Sequence, residues 1–382
     1  GALCNAVLRR LTTLVAPARD DAPWNDRRDA LPLADGGSRV LAGPLLPEDP
    51  LDRVAVASGV GVAVVRRWAE AARGHGGVEA ARRAALQGIG PGPVVLNIAH
   101  ANTGGGGGVD TSADTAARVG ALAEAIGVPL APHAHDGHAV VTGRFGDLAR
   151  ALDARPDVWA QDVASSRAVL ALREAASETG DAPARWRVVV DLCAGLGTKT
   201  RQMHAVFGAP GAGDPGRRLL ASDPDEARAR TLRAVAQRLP GCEVVEPARV
   251  ERRVAELSGA GENAGADAVL LDVPCSNSGV LSRRPEARHR LRRSEVERLA
   301  SLQREILARG AGLLRPGGWL LYTTCSLEPE ENTQQAAWAA RHLGLTLVRE
   351  GAQWPEGGPG APPTEHADGS YHAVLRRPST AG

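Results

Sequence analysis

Between residues 187 and 325 five short apolar runs, RVVVDL, RRLLASD, CEVVE, ADAVLLDV and GGWLLYTTC, alternate with stretches of helical periodicity. A chain with that rhythm is predicted to build an α/β fold, a mostly parallel, doubly wound sheet with helices between its strands. Sheets of this kind bind ligands beyond the carboxyl ends of their strands, near the point where strand order reverses. The runs end at Asp191, Asp223, Asp272 and Cys325, so three acids and a thiol are expected to face one crevice. A Pro/Gly-rich stretch at 354–363 then leads to a closing strand, YHAVLRR.

Two connections carry the chemistry. DLCAGLGTKT, 191–200, places small residues between a strand and a helix, which lets backbone N–H groups approach a ligand. It is neither the G-x-G-x-x-G fingerprint nor a P-loop, and a ligand-free tight turn would look the same. Asp223 lies where an acid accepts hydrogen bonds from the two hydroxyls of a ribose; its alternative is to cap the helix that begins PDEARAR. LLDVPCSNSG, 270–279, joins an acid, a proline that fixes the backbone, and a thiol after a fully apolar strand. A lone Cys275 would read as an inert core residue, but Cys325 ends the neighbouring strand. Glutamates follow Cys325 in LYTTCSLEPEEN, and carboxylates oppose thiolate formation. Pro329 suits the first position of a helix, with Glu330 and Glu331 at its positive end and pointing away from the thiol.

The rest of the chain is less regular. The opening LCNAVLRRLTTL reads as a helix, followed by a Pro/Asp-rich break near 17–50 and short helices in DRVAVASGVGVAVVRRWAEAA and GGVEAARRAALQG. GPVVLNIAHAN reads as a strand, the glycines at 104–108 as a loop, and TSADTAARVGALAEAIG as a helix capped by Thr111 or Ser112. No apolar run reaches the length of a bilayer span. The cysteines at 4, 193, 242, 275 and 325 lack CxxC spacing, which argues against a zinc site or a disulfide framework and for a reducing, cytoplasmic setting. The formal net charge is +1, and Lys199 is the sole lysine. Cations concentrate instead at Arg283, Arg284, Arg288, Arg290, Arg292 and Arg293, either a solvated face or a phosphate-binding patch. With Met203 the only methionine, the chain is expected to begin inside a longer one.

From about residue 160 onward these motifs resemble the RsmB/Sun family of RNA cytosine-5 methyltransferases. The pairing of PCS at 274–276 with TCS at 324–326 and PEEN after it carries the resemblance most specifically. WAQDVASS at 159–166 is similar to the start of that family's catalytic domain, and CNAVLRRL to the end of the NusB-like domain that precedes it. The resemblance implies a helical region over 1–90 that includes this remnant, a small mixed α/β subdomain over 91–160, and a Rossmann-like methyltransferase domain over 161–382. It puts S-adenosyl-L-methionine against Cys193, Ala194, Gly195, Leu196, Gly197, Thr198 and Lys199, with Asp223 on the ribose and Asp272 between cofactor and base. Cys325 would be the nucleophile, activated by the cofactor's positive charge and the Arg cluster, and Cys275 would help release product. The expected partner is RNA, ribosomal before transfer RNA, bound by a monomer that needs no metal and no membrane.

The sequence departs from the family pattern in places. The family's C-A-A-P-G-G-K-T is CAGLGTKT here, and Pro247 stands where an acid near the adenine is usual, with Glu246 one residue early. The L-R-[VI]-N strand reads LNIA, with Asn97 in place of Arg. A non-catalytic RNA-binding or ribosome-assembly factor is the alternative reading; retention of Asp272, Cys275 and Cys325 together speaks against it. The second cysteine separates the chain from DNA cytosine methyltransferases, and the lack of a [DN]-P-P-[YFW] motif separates it from amino-group methyltransferases.

Overall fold

The computed structural model describes residues 12–99, 112–143, 148–181, 185–207, 217–259 and 263–379, with positions 6, 9, 10 and 261. Of the expected opening helix, 3–14, the described positions 6, 9, 10 and 12–14 are helical, while Thr111 and the glycines at 104–108 lie outside the described residues. The expected break at 17–50 is instead a small antiparallel sheet, β1 (Val15–Asp20), β2 (Ala30–Pro32) and β3 (Ser38–Leu41), in the order β1-β3-β2. Its strands are too short and too rich in Asp and Pro to show an apolar period. Three helices follow: α1 (Pro50–Ser58), α2 (Val62–Ala71) and α3 (Val78–Gln87). Asp49 caps α1 by accepting from the Asp52 N–H at 3.0 Å, Pro50 fits its first turn, and Gly59 closes it at φ 70°.

The middle of the chain holds β4 (Val95–Asn97), α4 (Ser112–Ile126), β5 (Leu130–Pro132), β6 (His138–Val141), α5 (Leu148–Asp153) and β7 (Trp159–Ala160). The strands form an antiparallel sheet in the order β5-β6-β4-β7. Asn97 is buried and donates to Gln161 at 2.9 Å; Gln161 in turn donates to Gln202, on the first crossover helix of the larger sheet described next, at 2.6 Å. Asn97 therefore ties the small sheet to the larger one.

Next come α6 (Val163–Glu178), β8 (Val188–Asp191), α7 (Thr198–Phe207), β9 (Arg218–Ala221), α8 (Glu226–Ala236), β10 (Cys242–Val244), α9 (Val250–Ser258), β11 (Ala266–Asp272), α10 (Arg293–Leu313), β12 (Leu314–Thr324), α11 (Thr333–Leu343), β13 (Thr346–Gln353) and β14 (Ser370–Arg376). They build a seven-stranded sheet in the order β10-β9-β8-β11-β12-β14-β13. The strands from β10 to β12 are parallel, and β14 and β13 are antiparallel. The five expected strands and the closing strand are all present; β13, an outer strand with Thr346, Leu347 and Val348 exposed, gave no clean alternation to read. Helices cover both faces. Val269 and Leu271 of β11 pack toward α9, α10 and α11, while Ala268 and Leu270 pack toward α6 and α7. Burial of each such Val or Leu stabilises by roughly 1.5–3 kcal/mol, which is why β11 can be apolar throughout. Among the described residues, no helix is long and apolar enough to cross a membrane.

Candidate active site

Strand order reverses between β8 and β11, because the chain runs from β8 to β9 and β10 on one side and then returns to β11 on the other. The carboxyl ends of β8 and β11 consequently open a crevice at this switch point. A cleft of about 890 Å³ lies there, lined by the turn from Leu192 to Leu196, by Thr198, Lys199, Asp223 and Pro247, and by Asp272, Cys275, Asn277 and Cys325.

The turn after β8 needs its glycines. Gly195 sits at φ 56° and Gly197 at φ 86°, and a Cβ on Gly197 would stand 3.1 Å from Leu232 and Val235 of α8. Leu196 between them is 57% exposed, an apolar side chain held open at the cleft. Asp223 is buried and accepts from the Gly195 N–H and the Asp225 N–H, each at 2.9 Å. Asp225, not Asp223, caps α8, accepting from the Arg228 N–H at 3.0 Å. Asp191 lies beneath the turn, wholly buried, and accepts from the Thr200 hydroxyl at 2.6 Å. Burial pushes its carboxyl up to about 7 against that bond. Burial, reinforced by Asp191, also raises the Cys193 thiol well above its ordinary value.

Lys199, expected against the cofactor, lines the cleft and donates to Asp272 at 2.9 Å. Sequence gave no sign of this pairing, since the partners lie on α7 and β11. Beside them the two thiols meet, with Cys275 and Cys325 Sγ atoms sharing a hydrogen bond at 3.2 Å. That bond and burial hold the Cys275 thiol well above its usual range. Asn277, in the left-handed region at φ 59°, accepts from the Cys325 thiol at 3.2 Å and donates to the Cys275 carbonyl at 3.0 Å. The loops touch through backbone as well: Gly279 N–H donates to Cys325 O at 2.9 Å and Gly369 N–H to Gly279 O at 2.7 Å. A Cβ on Gly279 would lie 2.7 Å from the Gly369 carbonyl oxygen, so the two backbones pass with no room for a side chain.

The glutamates after Cys325 correct the expectation made for them. Pro329–Glu331 is a separate turn of 3₁₀ helix, and α11 begins only at Thr333. Glu331 is fully buried beneath the thiol loops, where it accepts from Ser276 N–H at 3.0 Å, Ser326 Oγ at 2.5 Å and Gln303 Nε2 at 3.0 Å. Burial raises its carboxyl, and those donors work the other way. Glu331 is thus a brace, not a residue of the α11 N-terminus.

The Arg cluster is also divided. Arg283 pairs with Asp162 at 3.1 Å and with Asp368. Arg288 donates to the carbonyls of Ser58, at 2.6 Å, and Gly88, closing the ends of α1 and α3. Arg293 pairs with Glu297 at 2.8 Å, and Arg292 occupies the exposed N-cap position of α10. Only Arg284 and Arg290 of the six line the cleft, Arg290 3.5 Å from Glu286. Arg283 and Arg288 are taken up by partners distant in sequence, and Arg293 by a glutamate one turn along its own helix. Pro247 does line the cleft, whereas Glu246 pairs with Arg249 at the surface and does not. The far wall is made by Leu302, Ile306 and Arg309, which share one face of α10. That spacing was readable from the sequence and was not used.

A second chamber, about 350 Å³, lies between the β4–β7 sheet and the seven-stranded sheet. Val94, Gln161 and Asp162 line one side, Thr324, Asp368 and Ser370 the other, and it shares Thr198, Lys199, Asp272 and Cys325 with the larger cleft. Asp162, His366 and Asp368 bring ligand-type atoms within 4.8 Å of one another, but the Arg283 guanidinium already supplies their positive charge.

Residues 181–376, just over half of the 382-residue chain, match the profile of the family described as 16S rRNA methyltransferase RsmB/F. The chain is 37% identical over 194 residues to ribosomal RNA small subunit methyltransferase B of Yersinia pseudotuberculosis, covering 50% of this chain and 43% of that one. It is 34% identical over 193 residues to the protein of the same name from Serratia proteamaculans, covering 49% and 41%. It therefore spans less than half the length of these relatives. A crystal structure of a methyltransferase homolog protein from Pyrococcus horikoshii has the same fold, with a TM-score of 0.58 at 22% identity over 85% of this chain and 97% of that one.

Proposed function

The chain belongs to the family of 16S rRNA methyltransferases RsmB/F, and on that footing we propose that it methylates C5 of a cytosine in ribosomal RNA through a Cys325 adduct. The cofactor is S-adenosyl-L-methionine, which supplies an electrophilic methyl group when bound. The cleft fits it: the left-handed turn at Gly195 and Gly197 keeps side chains away from the backbone, and Asp223 presents a buried carboxylate beside that turn. Cys193 to Lys199, Asp223 and Asp272 would hold it.

The observation that carries the reading is that the two cavities share Lys199, Asp272 and Cys325. A donor in the large cleft and a planar base in the smaller chamber would meet at those groups. Cytosine C5 is a poor nucleophile until a thiolate adds to C6 and turns the ring into an enamine. Cys325 performs that addition once its proton has left for solvent. Asp272, oriented by Lys199, accepts from the amino edge of the ring and offsets charge that builds there. After C5 is methylated its proton passes to solvent, the C5–C6 double bond re-forms and the Cys325 sulfur leaves C6 as a thiolate; Cys275, 3.2 Å from Cys325, assists that departure. The base can reach the chamber only when unstacked, so the substrate is single-stranded or flipped. Arg284 and Arg290 at the cleft are placed to contact phosphates.

Cys325→Ala is expected to abolish methyl transfer while S-adenosylhomocysteine still binds. Cys275→Ala is expected to accumulate a covalent enzyme–RNA adduct, seen as a retarded band on a denaturing gel. An adduct formed by Cys325→Ala in place of Cys275→Ala would reverse the two roles. Bisulfite sequencing of ribosomal and transfer RNA from a deletion strain would identify the cytosine.

A further inference from the structure

Both thiol loops are rooted in the N-terminal helices, which lie outside the residues 181–376 matched by the family profile. Glu328, just after Cys325, is fully buried; its Oε1 accepts from the Trp68 indole N–H at 2.8 Å and its Oε2 from Arg67 at 3.2 Å, both on α2. Its own N–H donates to Ser326 Oγ at 3.0 Å, so the carboxylate and the loop backbone are fixed together. Leu327 packs in the same core as Val54, Val65, Trp68 and Ala81. From the other loop, Leu281 enters that core, and Arg288 bonds the ends of α1 and α3. Trp68 is itself fully buried, so its indole has no water to replace Glu328.

We propose that the α1–α3 unit is part of the catalytic machinery, with Trp68 and Arg67 as positioning residues that act through Glu328 to set where Cys325 stands relative to Cys275 and Asp272. The inference rests on Cys325 being the nucleophile. The two loops are joined to each other at the 3.2 Å sulfur contact and by the Gly279 N–H to Cys325 O bond, and the side-chain anchors of both lead outward to the same helices, which set where the joined pair stands. Removing the N-terminal unit would leave Glu328, Leu327 and Leu281 exposed at the base of the thiol loops.

The test uses the full chain. Trp68→Phe keeps an aromatic ring in the core and removes the donor. Alkylation by iodoacetamide, read by peptide mass spectrometry, measures how Cys325 is presented, with Cys193 as the reference for general loosening. The expected result is a fall in kcat of roughly tenfold, below the roughly hundredfold that a full 1 Å misplacement can cost. The Cys325-to-Cys193 alkylation ratio should shift, affinity for S-adenosylhomocysteine should hold, and adding Glu328→Gln should cost little more. Wild-type kcat with an unchanged ratio overturns the proposal. So does a loss of activity in which cofactor affinity falls and both cysteines alkylate faster, because Trp68 is then only a core residue. If Trp68→Phe does not fold, Glu328→Gln decides alone by the same readings. Methyl transfer surviving in Cys325→Ala would remove the nucleophile assignment instead, while the alkylation ratio in Trp68→Phe would still report whether the helices hold the loop.

Discussion

The two halves of the crevice are built on opposite plans. At the thiol end, side chains are satisfied by one another: Glu331 joins Ser276, Ser326 and Gln303, Tyr322 donates to the Glu331 carbonyl at 2.6 Å, and Thr324 donates to Asn332 at 2.6 Å. At the end proposed for the cofactor, the turn from Cys193 to Gly197 faces an open cleft, Leu196 is exposed, and Asp223 accepts from the Gly195 and Asp225 N–H groups with Arg228 3.6 Å away. On the proposed function, the groups that would meet a reacting carbon are fixed from within, whereas the part that would hold an exchangeable ligand leaves surface for it to cover. A completed polar network resists perturbation as a unit, and each member lost leaves several partners unsatisfied.

The contrast can be broken most severely at Glu331. Glu331→Ala strands the Ser276, Ser326 and Gln303 donors in the interior and should destabilise the fold by about 3 kcal/mol or more. Urea unfolding measures it, and a loss under about 1 kcal/mol, the scale of an ordinary surface change, would mean that the network is not a unit. Asp223→Asn at the other end should be milder, leaving the fold in place and weakening S-adenosylhomocysteine binding about tenfold, as loss of one charge-assisted hydrogen bond implies. Calorimetry decides it; unchanged affinity would remove Asp223 from the ribose site.

A third effect is one of pH. Asp191 titrates near 7 in the folded chain against an ordinary value of 3.8, so between those values the folded state binds a proton that the unfolded state lacks. Its contribution therefore falls as pH rises through that window and is fully lost above about 7. Asp191→Asn should narrow the difference between urea midpoints at pH 5 and pH 8; the same difference in both proteins would show that Asp191 does not carry it.

The seven-stranded sheet was legible because its central strands are buried on both faces and end in residues that apolar packing does not explain, Asp191, Asp223, Asp272 and Cys325. The β1–β3 sheet was not, since strands such as ALP and SRVL are too short to show a period. Glu331 was misread because Pro329 gave a true local signal, a helical first turn, while the carboxylate's fate was set by Ser276 and Gln303 far along the chain. Arg283 and Arg288 looked like a patch for the same reason: charge is visible in sequence, and the partners at Asp162, Asp368, Ser58 and Gly88 are not.

The crossing of Gly279 and Gly369 has a bearing on how such a chain can drift. Neither residue carries a functional group, yet each occupies the volume that the other's side chain would need, and the Cys325 carbonyl is bonded to one of them. Variation at either position is closed off in advance by its neighbour, so even alanine asks the two thiol loops and the start of β14 to part. The most restricted positions around this site thus include two with no chemistry of their own, whose only contribution is to take up no space.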